Sequence, residues 1–334
     1  MVGTRDEFDE AAKEVRKLFN ERGKKSLKEA AASILQEKIE CDEAREALSR
    51  FMSHWRDVVR PSLVSLACEA VGGDPSITVP IGKSLTLLSG ATDIHDDIID
   101  KTMVKGKRKT VLGEFGGDIA LMAGDALIFE GFVALFEGLA RLDISPEKKL
   151  AIVHTIKELY SEMLDGEALE LRFRARMDIK PDEYIYVVRK KAADVEACMR
   201  VGTMLGNGSK EQVDAVGGYG RLLGTMVLLR NDLEDMLDLN LLNLRIKNES
   251  LPLPILYALE NDKKKEGILA ILKKEKVSGR EAERLLKLIS EAGGINKLEK
   301  LFMKLKNQAG VKIGKLKISR IFRTILEATV PKKL

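Results

Sequence analysis

Cysteine is scarce in this chain, with three residues, Cys41, Cys68 and Cys198, among 334. They are far apart and odd in number, which argues against a disulfide framework and points to reduced thiols in a cytoplasmic protein. Histidine is equally scarce. His54, His95 and His154 share no ligand spacing with the cysteines, so a zinc site is not expected. Only eight prolines interrupt the chain, leaving long stretches free to be helical. Neither sign of charge prevails, with 56 Lys and Arg against 52 Asp and Glu, so no strong field favours nucleic acid. The opening MVGTRDEFDEAAKEV is too charged for a signal peptide, and no segment is expected to act as a membrane span. Low-complexity tracts and long linkers are missing too. The expectation is one all-α domain over residues 1–334.

Helical periodicity is almost unbroken, without sustained period-two alternation. Helices are expected over 6–20 and 26–52, then from Pro61 through SLVSLACEAV to Gly72-Gly73. Residues 101–113 read as a basic loop, and helices follow over 114–140, 146–177, 181–205 and 209–237. Residues 240–252 read as a loop and 253–328 as charged helices. The late basic runs KKKEG, LKKEK and PKKL read as solvated faces and a tail.

One stretch stands out. A run almost free of charge, Ser76 to Thr92, ends in Asp93, Asp96, Asp97 and Asp100. On a helix, Asp96 and Asp100 lie one turn apart on a single face with Asp97 beside them. Their burial without counter-charge would be costly. Mg²⁺ suits such a cluster, because it takes a few carboxylate oxygens and completes its shell with water and phosphate oxygens. The pattern recurs: the apolar GTMVLL leads to Arg230, Asn231, Asp232, Glu234, Asp235 and Asp238. Opposed across a helical bundle, two such ends could hold several Mg²⁺ ions around one diphosphate. The metals would neutralise a leaving pyrophosphate while apolar walls shield a carbocation, the chemistry of allylic diphosphate ionisation.

With these motifs the chain resembles the trans-polyprenyl diphosphate synthase family of class I isoprenoid synthases, most clearly over residues 55–260. The first aspartate-rich motif reads Asp96-Asp97-Ile98-Ile99-Asp100, after His95. The second reads Asn231-Asp232-Leu233-Glu234-Asp235, with Asn where the first Asp is usual. Ala123-Gly124-Asp125, Gly166-Glu167-Ala168-Leu169-Glu170 and Pro254-Ile255-Leu256-Tyr257-Ala258-Leu259 match lesser family patterns. The resemblance implies an isoprenoid-synthase helical bundle around a central apolar cavity, and a homodimer. It implies that Asp96, Asp97, Asp100, Asp232 and Asp235 bind Mg²⁺ and that Lys191 contacts the allylic diphosphate. Lys105 stands where a second diphosphate-binding Arg is usual, and lacks the bidentate fork. Glu167 and Asn231 fall at further substrate-facing positions. Ala91 and Thr92 would form the floor that limits prenyl length; being small, they imply a prenyl group of twenty carbons or more.

The departures gather at the family's site for isopentenyl diphosphate. Arg60-Pro61 is present, but the preceding Gly-Lys-Arg triplet reads Arg56-Asp57-Val58. A usual His is Ser89, and the second Arg of an Arg-Arg-Gly is Gly106. Each lost charge-assisted bond is worth roughly 1.5–3 kcal/mol, unless Arg56, Lys107 and Arg108 substitute. The resemblance therefore implies a prenyltransferase whose acceptor is isopentenyl diphosphate or another nucleophile. A terpene cyclase and a silent regulatory subunit are the remaining readings.

Overall fold

The computed structural model describes residues 5–331, with side chains from Glu10 onward. The expectations for Met1–Thr4 and Lys332–Leu334 lie outside the described residues. The described chain is helical almost throughout, as expected for the all-α class, and its one sheet is a hairpin pairing Val104–Lys105 with Arg108–Lys109.

Two helix pairs carry the architecture. Val79–Asp100 packs along Gly117–Arg141, and Lys210–Leu237 packs on Ala193–Leu205. The first contact depends on a glycine stripe. Gly124, Gly131 and Gly138 recur every seven residues on one face, and a Cβ on each would lie within 3 Å of His95, Leu88 and Pro80 respectively. Seven residues is nearly two helical turns, so the stripe brings the two backbones close along their length. It also seats His95 against the Ala123-Gly124-Asp125 segment, with Asp125 Oδ1 3.5 Å from His95 Nε2. The larger apolar core lies around Lys210–Leu237 and Ala193–Leu205, with Met199, Tyr219, Leu222 and Met226 buried. A second cluster joins Ala30, Leu48, Leu87, Ala91, Ile94 and Leu127 under the first acidic helix.

Several boundaries differ from expectation. The first helix runs unbroken from Arg5 to Gln36, because Gly23 serves close packing on the Val58 carbonyl and not a stop. The helix after Pro181 breaks at Ala192, giving Pro181–Lys191 and Ala193–Leu205. Residues 101–113 hold the hairpin and the start of a short helix, Val111–Phe115. Leu239–Asn248 is a helix where a loop is expected. Asp238 caps it by accepting from the Asn240 and Leu241 amides at 2.9 and 3.1 Å. Gly117–Arg141 is long and apolar enough to cross a membrane by length and composition. Its glycine face is buried against Val79–Asp100, while Phe129, Phe132 and Phe136 are exposed.

Cys68 and Cys198 are fully buried and Cys41 is exposed. Burial and the Asp74 charge push the Cys68 thiol up to about 11, and burial with Asp194 raises Cys198 further. A disulfide reagent at pH 8 is expected to titrate one thiol per native chain and three after denaturation. Rapid native labelling of more than one thiol would contradict this packing.

Candidate active site

The C-terminal turn of Val79–Asp100 presents Asp96, Asp97 and Asp100. That end already carries the negative pole of the helix dipole, so three carboxylates there require counter-charge. Lys105 reaches back from the hairpin, with Nζ 2.8 Å from Asp93 and 3.0 Å from Asp97. Arg174 Nη2 donates to Asp100 at 2.9 Å and to the Ile99 carbonyl at 2.7 Å. Asp96 makes no ion pair among the described residues. Burial and the neighbouring Glu167 charge push its carboxyl up to about 8, and burial, aided by the Asp93 and Asp100 charges, outweighs Lys105 to lift Asp97 to about 6.

The end of Lys210–Leu237 forms the opposite wall. Asp232 is buried; one oxygen accepts from the Tyr184 hydroxyl and the other from Arg245 Nη2 at 2.6 Å. Arg245 Nε donates to Asp235 at 3.0 Å and lies 3.4 Å from Glu249. Asn231 is exposed beside them, and exposed Glu234 pairs with Arg230 at 2.7 Å. The helix capped by Asp238 brings Arg245 into this position.

A third side comes from Pro146–Glu170 and Pro181–Lys191. They approach closely at Gly166, where a Cβ would sit 2.9 Å from the Lys191 amide nitrogen. The contact sets Lys191 Nζ 2.9 Å from Glu167 and in an ion pair with Glu170, which also accepts from Ser250. Burial opposes ionisation of Glu170, but Lys191 and Ser250 hold it at about 2.

All three sides line one cleft of about 480 Å³. Its lining holds nine acidic side chains, from Asp96 to Glu249, against four basic ones, Lys105, Arg174, Lys191 and Arg245. The surplus of negative charge and the all-oxygen donor set fit a hard divalent cation such as Mg²⁺. Among the described residues no three carboxylates are grouped closely enough to hold a metal alone. Diphosphate oxygens and water would complete the shell, as Mg²⁺ commonly requires.

The structure thus brings Asp96, Asp97, Asp100, Lys105, Glu167, Lys191, Asn231, Asp232 and Asp235 to one cleft. Three expected residues are elsewhere. Ala91 is buried in the second core cluster and Thr92 donates to the Ser89 carbonyl at 2.8 Å, so neither lines the cleft. Adjacent Gly90 is closed off, because a Cβ there would meet Phe51 at 3.0 Å. These small residues serve helix packing, and the open channel expected below the metals is not formed at them. Arg60 is also outside the cleft. Its Nε donates to Asp194 at 2.8 Å and its Nη1 to Asp57 at 3.0 Å, while Ser89 donates to Asp57 at 3.0 Å. Arg56, a candidate substitute cation, donates instead to the Trp55 and Ser53 carbonyls.

Sequence reasoning missed Arg245, Tyr184, Arg174 and Glu170 as cleft residues. Glu170 lay within a quoted motif; Tyr184 and Arg174 carried no local signal. Arg245, 13 residues beyond Asp232, was hidden by reading its helix as a loop.

Arg60→Ala is expected to destabilise the fold by about 2 kcal/mol or more, since it strands Asp57 and Asp194. This is somewhat below the ~3–5 kcal/mol of a fully buried pair, because Arg60 keeps some solvent contact. Urea unfolding measures it. A variant of unchanged stability would return Arg60 to the role of a free substrate-binding cation.

Comparison with known proteins agrees with this geometry. A family model described as polyprenyl synthetase matches residues 44–289, more than half of the chain. A short chain isoprenyl diphosphate synthase from Methanothermobacter thermautotrophicus is 28% identical over 232 residues, covering 69% of this chain and 67% of the relative. A geranylgeranyl diphosphate synthase from Methanosarcina mazei is 30% identical over 179 residues, covering 53% of this chain and 54% of that protein. The chain therefore spans about two thirds of the first of these relatives and about half of the second. The crystal structure of a geranylgeranyl pyrophosphate synthetase from Pyrococcus horikoshii superposes with a TM-score of 0.83 at 25% identity, covering 95% of this chain and 99% of that one. That of a Geoglobus acetivorans geranylgeranyl pyrophosphate synthetase gives 0.82 at 22% identity, with 94% and 100% covered, a likeness of fold. From its acidic cleft, its all-α fold and the matched stretch, this chain belongs to the polyprenyl synthetase family.

Proposed function

We propose that this chain is a Mg²⁺-dependent prenyltransferase, one continuous domain that ionises an allylic prenyl diphosphate in the acidic cleft. The carrying observation is that two aspartate-rich helix ends and Lys191 line the same 480 Å³ space. Bound Mg²⁺ would supply the charge that stabilises the departing pyrophosphate. Asp96, Asp97 and Asp100 would hold it on one wall, and Asp232 and Asp235 face them from the other side of the cleft. Lys191 and Lys105 exchange their carboxylate partners for diphosphate oxygens and hold the leaving group in place. Leu171, Val188, Leu228 and Leu244, which also line the cleft, keep water from the allylic cation. The carbon–oxygen bond breaks with its electrons going to pyrophosphate. The acceptor's electron pair then forms the new bond, and a proton is lost, with pyrophosphate as its nearest base.

Two readings of the acceptor each have support. The names of the relatives support elongation by isopentenyl diphosphate. The Arg60–Asp57–Ser89 network supports another nucleophile, because Arg60, the cation expected to hold a second diphosphate, and Ser89, which stands where a His is usual, both donate to Asp57.

Pyrophosphate release from geranylgeranyl diphosphate with Mg²⁺, with and without isopentenyl diphosphate, separates these readings. Release that requires isopentenyl diphosphate supports elongation, whereas a cyclic product without it supports a cyclase. Release that needs neither cyclisation nor isopentenyl diphosphate supports another acceptor, water included. Silence in both arms points to a missing acceptor or to a regulatory subunit. Where release occurs, chelation should abolish it and Asp96→Asn should slow it about 100-fold or more, about 2.7 kcal/mol of barrier. Unchanged turnover in Asp96→Asn would remove the metal from the mechanism.

A homodimer is supported by the outer face of Gly117–Arg141. Met122, Phe129, Phe132, Val133 and Phe136 are exposed there at helical spacing, an apolar stripe unusual for a free surface. Phe129→Asp with Phe136→Asp should convert a dimer to a monomer in light scattering. A wild-type chain that is monomeric at micromolar concentration would exclude this association.

A further inference from the structure

The two acidic walls are neutralised in different ways. On the first, Lys105 and Arg174 each reach in from a mobile-length side chain, half-exposed, and Asp96 is left without an ion pair among the described residues. On the second, a single guanidinium meets three of the four carboxylates that line the cleft, and the fourth, exposed Glu234, pairs with Arg230. Arg245 lies 2.6 Å from Asp232, 3.0 Å from Asp235 and 3.4 Å from Glu249, with its side chain only 11% exposed. Tyr184 takes the remaining oxygen of Asp232. Both oxygens of Asp232 thus already accept from protein donors, and Asp235 shares the same guanidinium, so this wall holds a cation of its own.

We propose that Arg245 is the resident cation of the second acidic wall and takes the place of a divalent ion there, confining metal to the Asp96–Asp100 wall. The proposal rests on the reading of the cleft as a metal–diphosphate site and adds how that site is divided.

Three physical points carry it. Mg²⁺ ligated by Asp232 would lie a few ångström from the buried Arg245 guanidinium, and the repulsion between the two cations opposes its binding at this wall. Expelling Arg245 would strand its own buried charge and break three contacts at once, a change of the kind that costs several kcal/mol for buried pairs. Asn231 is the neutral member of the second motif, so this wall carries one negative charge fewer than an all-aspartate one and is better matched to a single positive charge. Arg245 Nη1 has no protein partner among the described residues and belongs to the cleft lining. It is free to donate directly to a diphosphate oxygen, giving the leaving group a fixed contact in place of a metal-mediated one.

Counting Mn²⁺ by electron paramagnetic resonance, on chelator-stripped full chain with inorganic pyrophosphate, tests the division without reference to turnover. Arg245→Gln should bind one more ion per chain than the wild type. Asp232→Asn, which keeps an acceptor for Tyr184 and Arg245, should leave the wild-type number unchanged, whereas Asp96→Asn should lower it. Equal numbers in wild type and Arg245→Gln, or a loss of ion in Asp232→Asn, would overturn the assignment. The metal–diphosphate reading would survive that outcome as long as Asp96→Asn still loses ions. Absence of pyrophosphate-dependent Mn²⁺ binding in every form would overturn both. If Arg245→Gln does not fold, the Asp232→Asn comparison decides the matter alone.

Discussion

Carboxylates crowded at the C-terminal ends of two helices are the constraint on which the rest of this molecule depends. Each end already carries the negative pole of its helix, and each points into the same partly buried cleft. Such an arrangement is stable only with positive charge supplied from elsewhere, and the fold supplies part of it. Lys105 comes from the hairpin, Arg174 from the turn after Pro146–Glu170, Lys191 from the helix beyond, and Arg245 from the helix after the second motif. Four cations from four different elements against nine acids leave a deficit that divalent metal is suited to fill.

Backbone packing is subordinate to that charge arrangement. The glycine stripe on Gly117–Arg141 lets the first acidic helix lie close and straight, and it fixes His95 just below Asp96. Gly166 does the same for Lys191 and its two glutamates. Tyr184 ties Asp232 to the neighbouring helix, so the second wall is rigid at its most buried carboxylate. In the proposed reaction, rigid walls and fixed charges would favour a transition state in which negative charge moves onto pyrophosphate, because little has to reorganise as the bond breaks.

The acceptor side is built on different lines. Where a second anionic substrate would need free cations, Arg60 is held between Asp57 and Asp194, and Arg56 is spent on backbone carbonyls at the end of its helix. Asp57 and Ser89 thus act together: one carboxylate accepts from the serine and the arginine at once. Departures that look independent along the chain prove to be one hydrogen-bonded unit in space.

The all-α class and the pairing of two aspartate-rich helix ends were legible in the residues alone, because helical period and charge placement are local properties. That Asp96, Asp97, Asp100, Asp232, Asp235 and Lys191 share one cleft was legible for the same reason, helped by family resemblance. Tertiary structure alone decided which cation meets which carboxylate, since Arg245, Tyr184 and Arg174 lie on elements whose approach is set by packing. It also decided the fate of Ala91, Thr92 and Arg60: small size and positive charge describe a side chain, but only its neighbours determine whether it faces substrate, another helix or a buried carboxylate.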